Sequence, residues 1–131
     1  MAQIRELLES YRAAVRAKDV DAFCALYDED VVLFDMWGEW SYRGLPAWRR
    51  NVEQWFGSLG DELVGVDFDE LEVRGPVAHM LVRYSGLSAE GEELRALWSR
   101  MTWVVVDGLV IHEHSSSPAS FETGKVMLSR T

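Results

Sequence analysis

A carboxylate, a guanidinium and two imidazoles lie within segments of this chain that resemble β-strands. Asp35 belongs to the apolar run at residues 31–37 and shares the parity of Val31 and Leu33, so we expect it to face the interior. Burial raises the pKa of a carboxyl and makes it a useful general base. Asp35 is therefore the first candidate catalytic residue, although the same side chain could instead cap the turn that follows the strand.

The strongest local signal is a β-hairpin at residues 98–118, where two apolar runs flank Asp107-Gly108, a pair typical of a two-residue turn. Strand alternation gives its two strands a shared polar face. Buried polar groups need partners, so we interpret this face as the wall of a ligand pocket. Its members are Arg100, Thr102, His112, His114 and Ser116.

On that face His114 is a candidate catalytic donor and the other four are candidate ligand contacts. An H-x-H pair such as His112 and His114 could hold a metal if a carboxylate joined it, but no third ligand is evident. We therefore expect neither a metal nor a cofactor. Arg100 could pair with Asp35, bind a ligand carboxylate, or extend to solvent at the rim.

Aromatic side chains are the second component of the predicted pocket. The chain has six tryptophans, and a flat hydrophobic molecule would pack well against such rings. Each of these residues could equally belong to the core. The candidates for the pocket wall are Trp37, Tyr42, Trp55, Tyr84 and Trp98.

Composition sets the class of protein. A length of 131 residues fits a single domain over residues 1–131, with residues 118–131 as a C-terminal tail. The net charge of −9 disfavours nucleic acid and anionic membrane surfaces as partners. With neither a membrane span nor a signal peptide evident, we expect a cytoplasmic protein.

The order of predicted elements is α-α-β-β-α followed by four long strands. Apolar residues recur at helical spacing from Ile4 to Val15, and period-two alternation begins at Leu63. This order predicts an α+β domain with a curved, mostly antiparallel sheet wrapped around three N-terminal helices. Met101, Trp103 and Val105 would then occupy the convex face, which predicts a homodimer through that face.

Three segments of the chain resemble the nuclear transport factor 2-like superfamily, and within it the SnoaL-like and ketosteroid isomerase-like domains. They are LYDEDVVLFD, Tyr42-Arg43-Gly44 before a helix, and VVVDGLVIHEHSSSP. The resemblance implies a cone-shaped fold with a cavity at its open end. It also implies that Asp35 is the general base and Tyr11 an oxyanion donor, and it places the family's second donor at or near Thr102.

The predicted function follows from this resemblance and from the polar cluster. We expect a domain that binds a small hydrophobic or aromatic molecule and, as an enzyme, a cofactor-free isomerase, cyclase or dehydratase that works by proton transfer. The alternatives are a ligand-sensing domain without catalysis and an oligomerisation or assembly domain, because this scaffold serves many functions.

Overall fold

Residues 2–130 form three helices and a six-stranded sheet, in the order that the sequence predicts. The computed structural model describes residues 2–130, and no helix among them is long and apolar enough to cross a membrane. The elements are α1 (Ala2–Ala17), α2 (Val20–Cys24), β1 (Tyr27–Phe34), β2 (Tyr42–Arg43), α3 (Leu45–Ser58), β3 (Leu63–Arg74), β4 (Val77–Leu87), β5 (Glu93–Val106) and β6 (Leu109–Ser116).

The strands form one mixed sheet in the order β2-β1-β6-β5-β4-β3. Only the β1–β6 pairing is parallel, and the others are antiparallel. The predicted class, an α+β fold with a curved and mostly antiparallel sheet, is confirmed. The acidic run Asp28, Glu29 and Asp30 lies within strand β1.

The β5–β6 hairpin has the predicted turn. Asp107 and Gly108 both have positive φ, at 52° and 80°, which a tight two-residue hairpin turn requires. The register then shifts, because Val105 pairs with Val110 whereas Val104 pairs with His112. Strand β6 therefore contains one extra residue, which is a β-bulge.

The side of the sheet that faces the helices is the reverse of our expectation. Met101 and Trp103, predicted on the convex face, are 2% and 0% exposed and belong to the core. The polar face that we expected to line the pocket lies on the outside of the sheet. The reason is physical, because burying the row of Met, Trp and Val removes far more apolar area from water than burying Arg, Thr and His would.

The C-terminal tail packs beside β5 beyond the end of β6. The backbone N–H of Trp98 donates to the carbonyl of Leu128 at 2.8 Å. Arg130 stacks on the Trp98 ring at 4.3 Å and pairs with Asp69 and Glu70 at 2.9 and 3.0 Å. Residues near the end of the chain therefore lie against β5 and β3, beside the open end of the sheet.

Two tryptophans provide a matched test of this packing. Trp103→Ala should lower the free energy of unfolding by about 3–5 kcal/mol, since a fully buried indole is removed and a cavity remains. Trp40→Ala should change it by less than about 0.5 kcal/mol, because that side chain is 97% exposed. Equilibrium urea unfolding of both variants measures the difference, and equal losses would contradict the described packing.

Candidate functional site

A cavity of about 490 Å³ opens between the sheet and helices α1 and α3. Its lining is mainly apolar and aromatic, with polar groups from helices α1 and α3, from strands β4, β5 and β6, and from the segments after β1 and before β3. Such a cavity is large enough for a small organic molecule. The residues that carry the argument are Tyr11, Asp35, Trp37, Trp48, Asn51, Trp55, Glu62, Tyr84, Arg95, Glu113 and Ser115.

Glu113 on β6 is a deeply buried carboxyl group in the cavity wall, with an exposed fraction of 3%. Its Oε1 accepts hydrogen bonds from the Tyr27 hydroxyl at 2.7 Å and from the Trp103 indole N–H at 2.8 Å. Burial raises the pKa of Glu113 to about 7, even though both donors act in the opposite direction. Because both donors meet Oε1, a proton on neutral Glu113 would sit on Oε2.

Asp35 follows the last residue of β1 and faces the same cavity. Its Oδ1 accepts from the Ser115 hydroxyl at 3.1 Å, and its Oδ2 accepts from the Trp37 N–H at 3.2 Å. Burial raises the pKa of Asp35, and these hydrogen bonds lower it by less. The negative charge of Asp35 also raises the pKa of Glu113, so the two carboxyl groups act on each other.

Two tyrosine hydroxyls face each other in the cavity wall. The Tyr11 and Tyr84 oxygens are 2.8 Å apart, and burial raises the pKa of both phenols well above the usual value for tyrosine. Both are therefore neutral at ordinary pH. Their mutual hydrogen bond uses one of their two protons, which leaves the other available to an acceptor in the cavity.

The aromatic candidates separate into two groups. Trp37, Trp48 and Trp55 line the cavity. Tyr42 lies outside the cavity lining. Its hydroxyl accepts a hydrogen bond from the Glu39 N–H at 3.2 Å. The same hydroxyl occupies the space that a side chain at Gly38 would need. It therefore shapes the loop that carries Trp37.

The remaining predicted site residues lie on the outer face of the sheet. Thr102 bonds to His79 there at 2.8 Å, and Trp98 is covered by Arg130. Our expectation that these residues converge with Asp35 is wrong, because the sheet separates them. Four of these residues line a shallow depression on the outer face: Arg100, Thr102, His114 and Ser116. The ring of His112 contacts the ring of Phe34, with 5.0 Å between the ring centroids.

Sequence reasoning missed Glu113, Tyr27 and Ser115. One signal was present, since Glu113 is the single acidic residue within the predicted strand after the Asp107-Gly108 turn. The burial argument that made Asp35 a candidate applies equally to a charged residue in this strand. No group of three or more His, Cys, Asp or Glu within residues 2–130 is arranged to hold a metal ion.

The fold and the cavity place the chain in the nuclear transport factor 2-like class of α+β cones. It aligns with a nuclear transport factor 2-like protein of unknown function from Pseudomonas putida KT2440, at 26% identity and a TM-score of 0.79, over 99% of this chain and 94% of the other. The sequence profile of the SnoaL-like domain family matches residues 8–113. The chain belongs to the SnoaL-like family.

Two further solved structures share the fold at lower identity. A candidate ketosteroid isomerase from Kribbella flavida DSM 17836 is 21% identical, with a TM-score of 0.66 over 92% of this chain and 81% of the other. A candidate polyketide cyclase from Sinorhizobium meliloti is 17% identical, with a TM-score of 0.63 over 85% and 94% of the two chains. No curated protein matches the sequence significantly.

The raised pKa of Glu113 predicts how stability depends on pH. The folded protein keeps a proton on Glu113 that the unfolded chain releases at lower pH, so stability falls as pH rises from about 4.5 to about 7. Glu113→Gln retains an acceptor for Tyr27 and Trp103 but cannot ionise. Relative to the wild type, this variant should gain about 3 kcal/mol of stability between about pH 4 and pH 8.

Urea unfolding at several pH values measures this gain. Glu90→Gln is the matched control, since Glu90 is exposed in the β4–β5 loop and its removal should leave the pH profile parallel to that of the wild type. A Glu113→Gln profile that is also parallel would show that Glu113 is not buried as described.

Proposed function

We propose that this chain binds a small hydrophobic or aromatic molecule in the cavity and moves a proton on it without a cofactor. Isomerisation, cyclisation and dehydration all need this step. The supporting observation is a mainly apolar cavity of about 490 Å³ with two buried carboxyl groups in its wall, Asp35 and Glu113. Titratable groups with shifted pKa values in a cleft are typical of acid–base sites.

Asp35 is the proposed general base. Its carboxylate is held by Ser115 and by the N–H of Trp37, and the raised pKa increases its basicity towards a carbon acid. Neutral Glu113 and the free proton of the Tyr11–Tyr84 pair can donate to a developing oxyanion. These donors replace His114 and Thr102 in the role that we first assigned to them.

The open cavity also helps to distinguish ligand binding from a role in assembly alone. An assembly domain without a ligand would gain stability by filling this space with side chains. Trp37, which could fill it, is instead 54% exposed. The cavity thus favours ligand binding over a purely structural role, and a ligand sensor without turnover is the remaining alternative.

Ring opening of 5-nitrobenzisoxazole tests the base without knowledge of the substrate, because a desolvated carboxylate in an aromatic cavity accelerates this proton abstraction. The wild type should catalyse this reaction. Its rate should fall at acid pH with an apparent pKa above the usual range of an aspartate. Asp35→Asn should lower kcat/KM at least about a hundredfold. Glu113→Gln should retain turnover, because its amide N–H replaces the proton of the neutral carboxyl as a donor to the oxyanion.

Asp30→Asn is the matched control, since Asp30 is an exposed aspartate on the same strand. It should leave the rate unchanged, and circular dichroism should show that both variants are folded. If Asp35→Asn turns over the probe as fast as the wild type, Asp35 is not the base. The ligand-sensing alternative would then be preferred.

We also propose that two copies associate through the outer face of the sheet. Phe34 is 37% exposed there, and its ring contacts His112 and His114 at 5.0 and 5.9 Å. Phe34→Glu should convert a dimer into a monomer in sedimentation velocity, because it replaces the exposed aromatic ring with a charged side chain. Phe121→Glu, on the fully exposed tail, should leave the mass unchanged, and a wild-type monomer would refute the proposal.

A further inference from the structure

A buried serine on the inner face of the sheet has a hydroxyl without a partner in the described part of the chain. Four polar residues there are buried, and three have hydrogen-bonded side chains: Glu113, Ser115 and Ser85, whose hydroxyl accepts from Arg83 at 2.7 Å. The fourth, Ser99 on β5, is 4% exposed, and its hydroxyl makes no hydrogen bond with the described residues. An unsatisfied buried hydroxyl is costly, so its position requires an explanation.

The Ser99 hydroxyl opens on the cavity. Ser99 has the parity of Met101 on the same strand, whose side chain lies in the core, and it is directly opposite the buried Val82 on β4. It therefore points to the helix side of the sheet, where it forms part of the cavity wall. Among the described residues, the buried polar atoms that are both unpartnered and fully enclosed belong to Trp48 and Glu62. The Ser99 oxygen is not fully enclosed, so it can be reached from the cavity.

Strand register places Ser99 between the proposed base and the tyrosine pair. Ser99 is a diagonal neighbour of Ser115 on β6 and of Tyr84 on β4. Diagonal neighbours on one face of a sheet are about 7–8 Å apart. Ser115 donates to Asp35, and Tyr84 shares a hydrogen bond with Tyr11. This spacing is within the length of two or three fused rings, so a ligand of that size that meets Asp35 can also reach Ser99.

The groups around Ser99 restrict the chemistry of its partner. Asp35 and Glu113 are carboxyl groups, and no cation contributes to the pKa of either. A carboxylate or a phosphate at Ser99 would therefore be repelled by ionised Asp35. A C–H group in the same place would leave the hydroxyl unpaired. An uncharged oxygen, of a carbonyl or a hydroxyl group, can form the missing hydrogen bond without either cost.

We propose that Ser99 is a specificity residue, whose hydroxyl forms a hydrogen bond with a carbonyl or hydroxyl oxygen on an uncharged and otherwise apolar ligand. This role rests on the proposed function of the cavity and defines the class of ligand. A serine kept for packing alone would gain nothing from its hydroxyl, because alanine fills the same place without an unpaired polar group. A residue that serves a ligand, in contrast, can be unfavourable for stability.

Urea unfolding without a ligand tests whether the hydroxyl is unpartnered. Ser99→Ala loses no hydrogen bond and removes an unpaired polar group, so its urea midpoint should equal or exceed that of the wild type. Ser115→Ala loses the bonds to Asp35 and to the Met36 N–H and should have a lower midpoint. A lowered midpoint for Ser99→Ala as well would show that its hydroxyl is bonded within the protein and would overturn the proposal.

Three fused-ring probes of nearly equal size test the specificity: fluorene, 9-fluorenone and 9-fluorenol. Equilibrium dialysis with chromatographic measurement of the free probe gives their dissociation constants. Ser99→Ala should weaken the binding of fluorenone, of fluorenol or of both about fivefold relative to that of fluorene, because one hydrogen bond to the oxygen is lost. A change for one of the two would identify the preferred oxygen as carbonyl or hydroxyl. Ser99→Thr keeps a hydroxyl and should retain the wild-type ratios.

Ser117→Ala is the matched control, because the Ser117 hydroxyl donates to the Trp98 carbonyl at 2.9 Å and lies outside the cavity lining. Its affinity ratios should equal those of the wild type. Ratios that Ser99→Ala leaves unchanged for both oxygenated probes would overturn the role of Ser99. The proposed function would survive that result if the probes bind and ring opening depends on Asp35. Failure of all three probes to bind the wild type would overturn both proposals.

Discussion

The structure depends on one buried contact, in which Glu113 receives hydrogen bonds from Tyr27 and Trp103 at the centre of the sheet. A carboxyl in this position must be neutral or well solvated by donors, because the interior stabilises its charge poorly. Two donors are provided, yet the pKa still rises to about 7. Ionisation of Glu113 therefore lowers the stability of the fold. A buried carboxyl with this energetic cost is more typical of a functional site than of core packing.

The carboxyl of Asp35 supports the conclusion that Glu113 belongs to a functional site. Asp35 faces the same cavity, and its charge raises the pKa of Glu113. No cation contributes to the pKa of either group, since the causes of both shifts are burial, hydrogen bonds and, for Glu113, its neighbouring carboxylate. The one arginine in the cavity wall, Arg95, is paired with Glu62 across the sheet. Without a counterion, burial raises the pKa of both acids, whereas an ion pair would lower the pKa of its carboxyl and hold it in the charged state.

Much of the fold could be predicted from residue periodicity, but the direction of the site could not. The Asp107-Gly108 turn, the long strands and the order of elements follow from local signals, and the resemblance to a known superfamily supplied the cone. Alternation also placed Arg100 and His114 on one face, and the observed pairings agree. It does not say which face is inside. We predicted that the polar face lines the pocket, although the opposite face, with Met101 and Trp103, has more apolar area to bury.

The β-bulge shows why the chemistry is hard to derive from alternation alone. In a hairpin without the extra residue in β6, the turn at Asp107-Gly108 would pair Trp103 with His112. An imidazole would then face the helices, and Glu113 would face outward. The observed shift between Val104 and Val105 instead pairs Trp103 with Glu113. One irregular residue thus decides whether the cavity contains a histidine or a carboxyl group, and hence whether its wall carries two acids that influence each other's protonation.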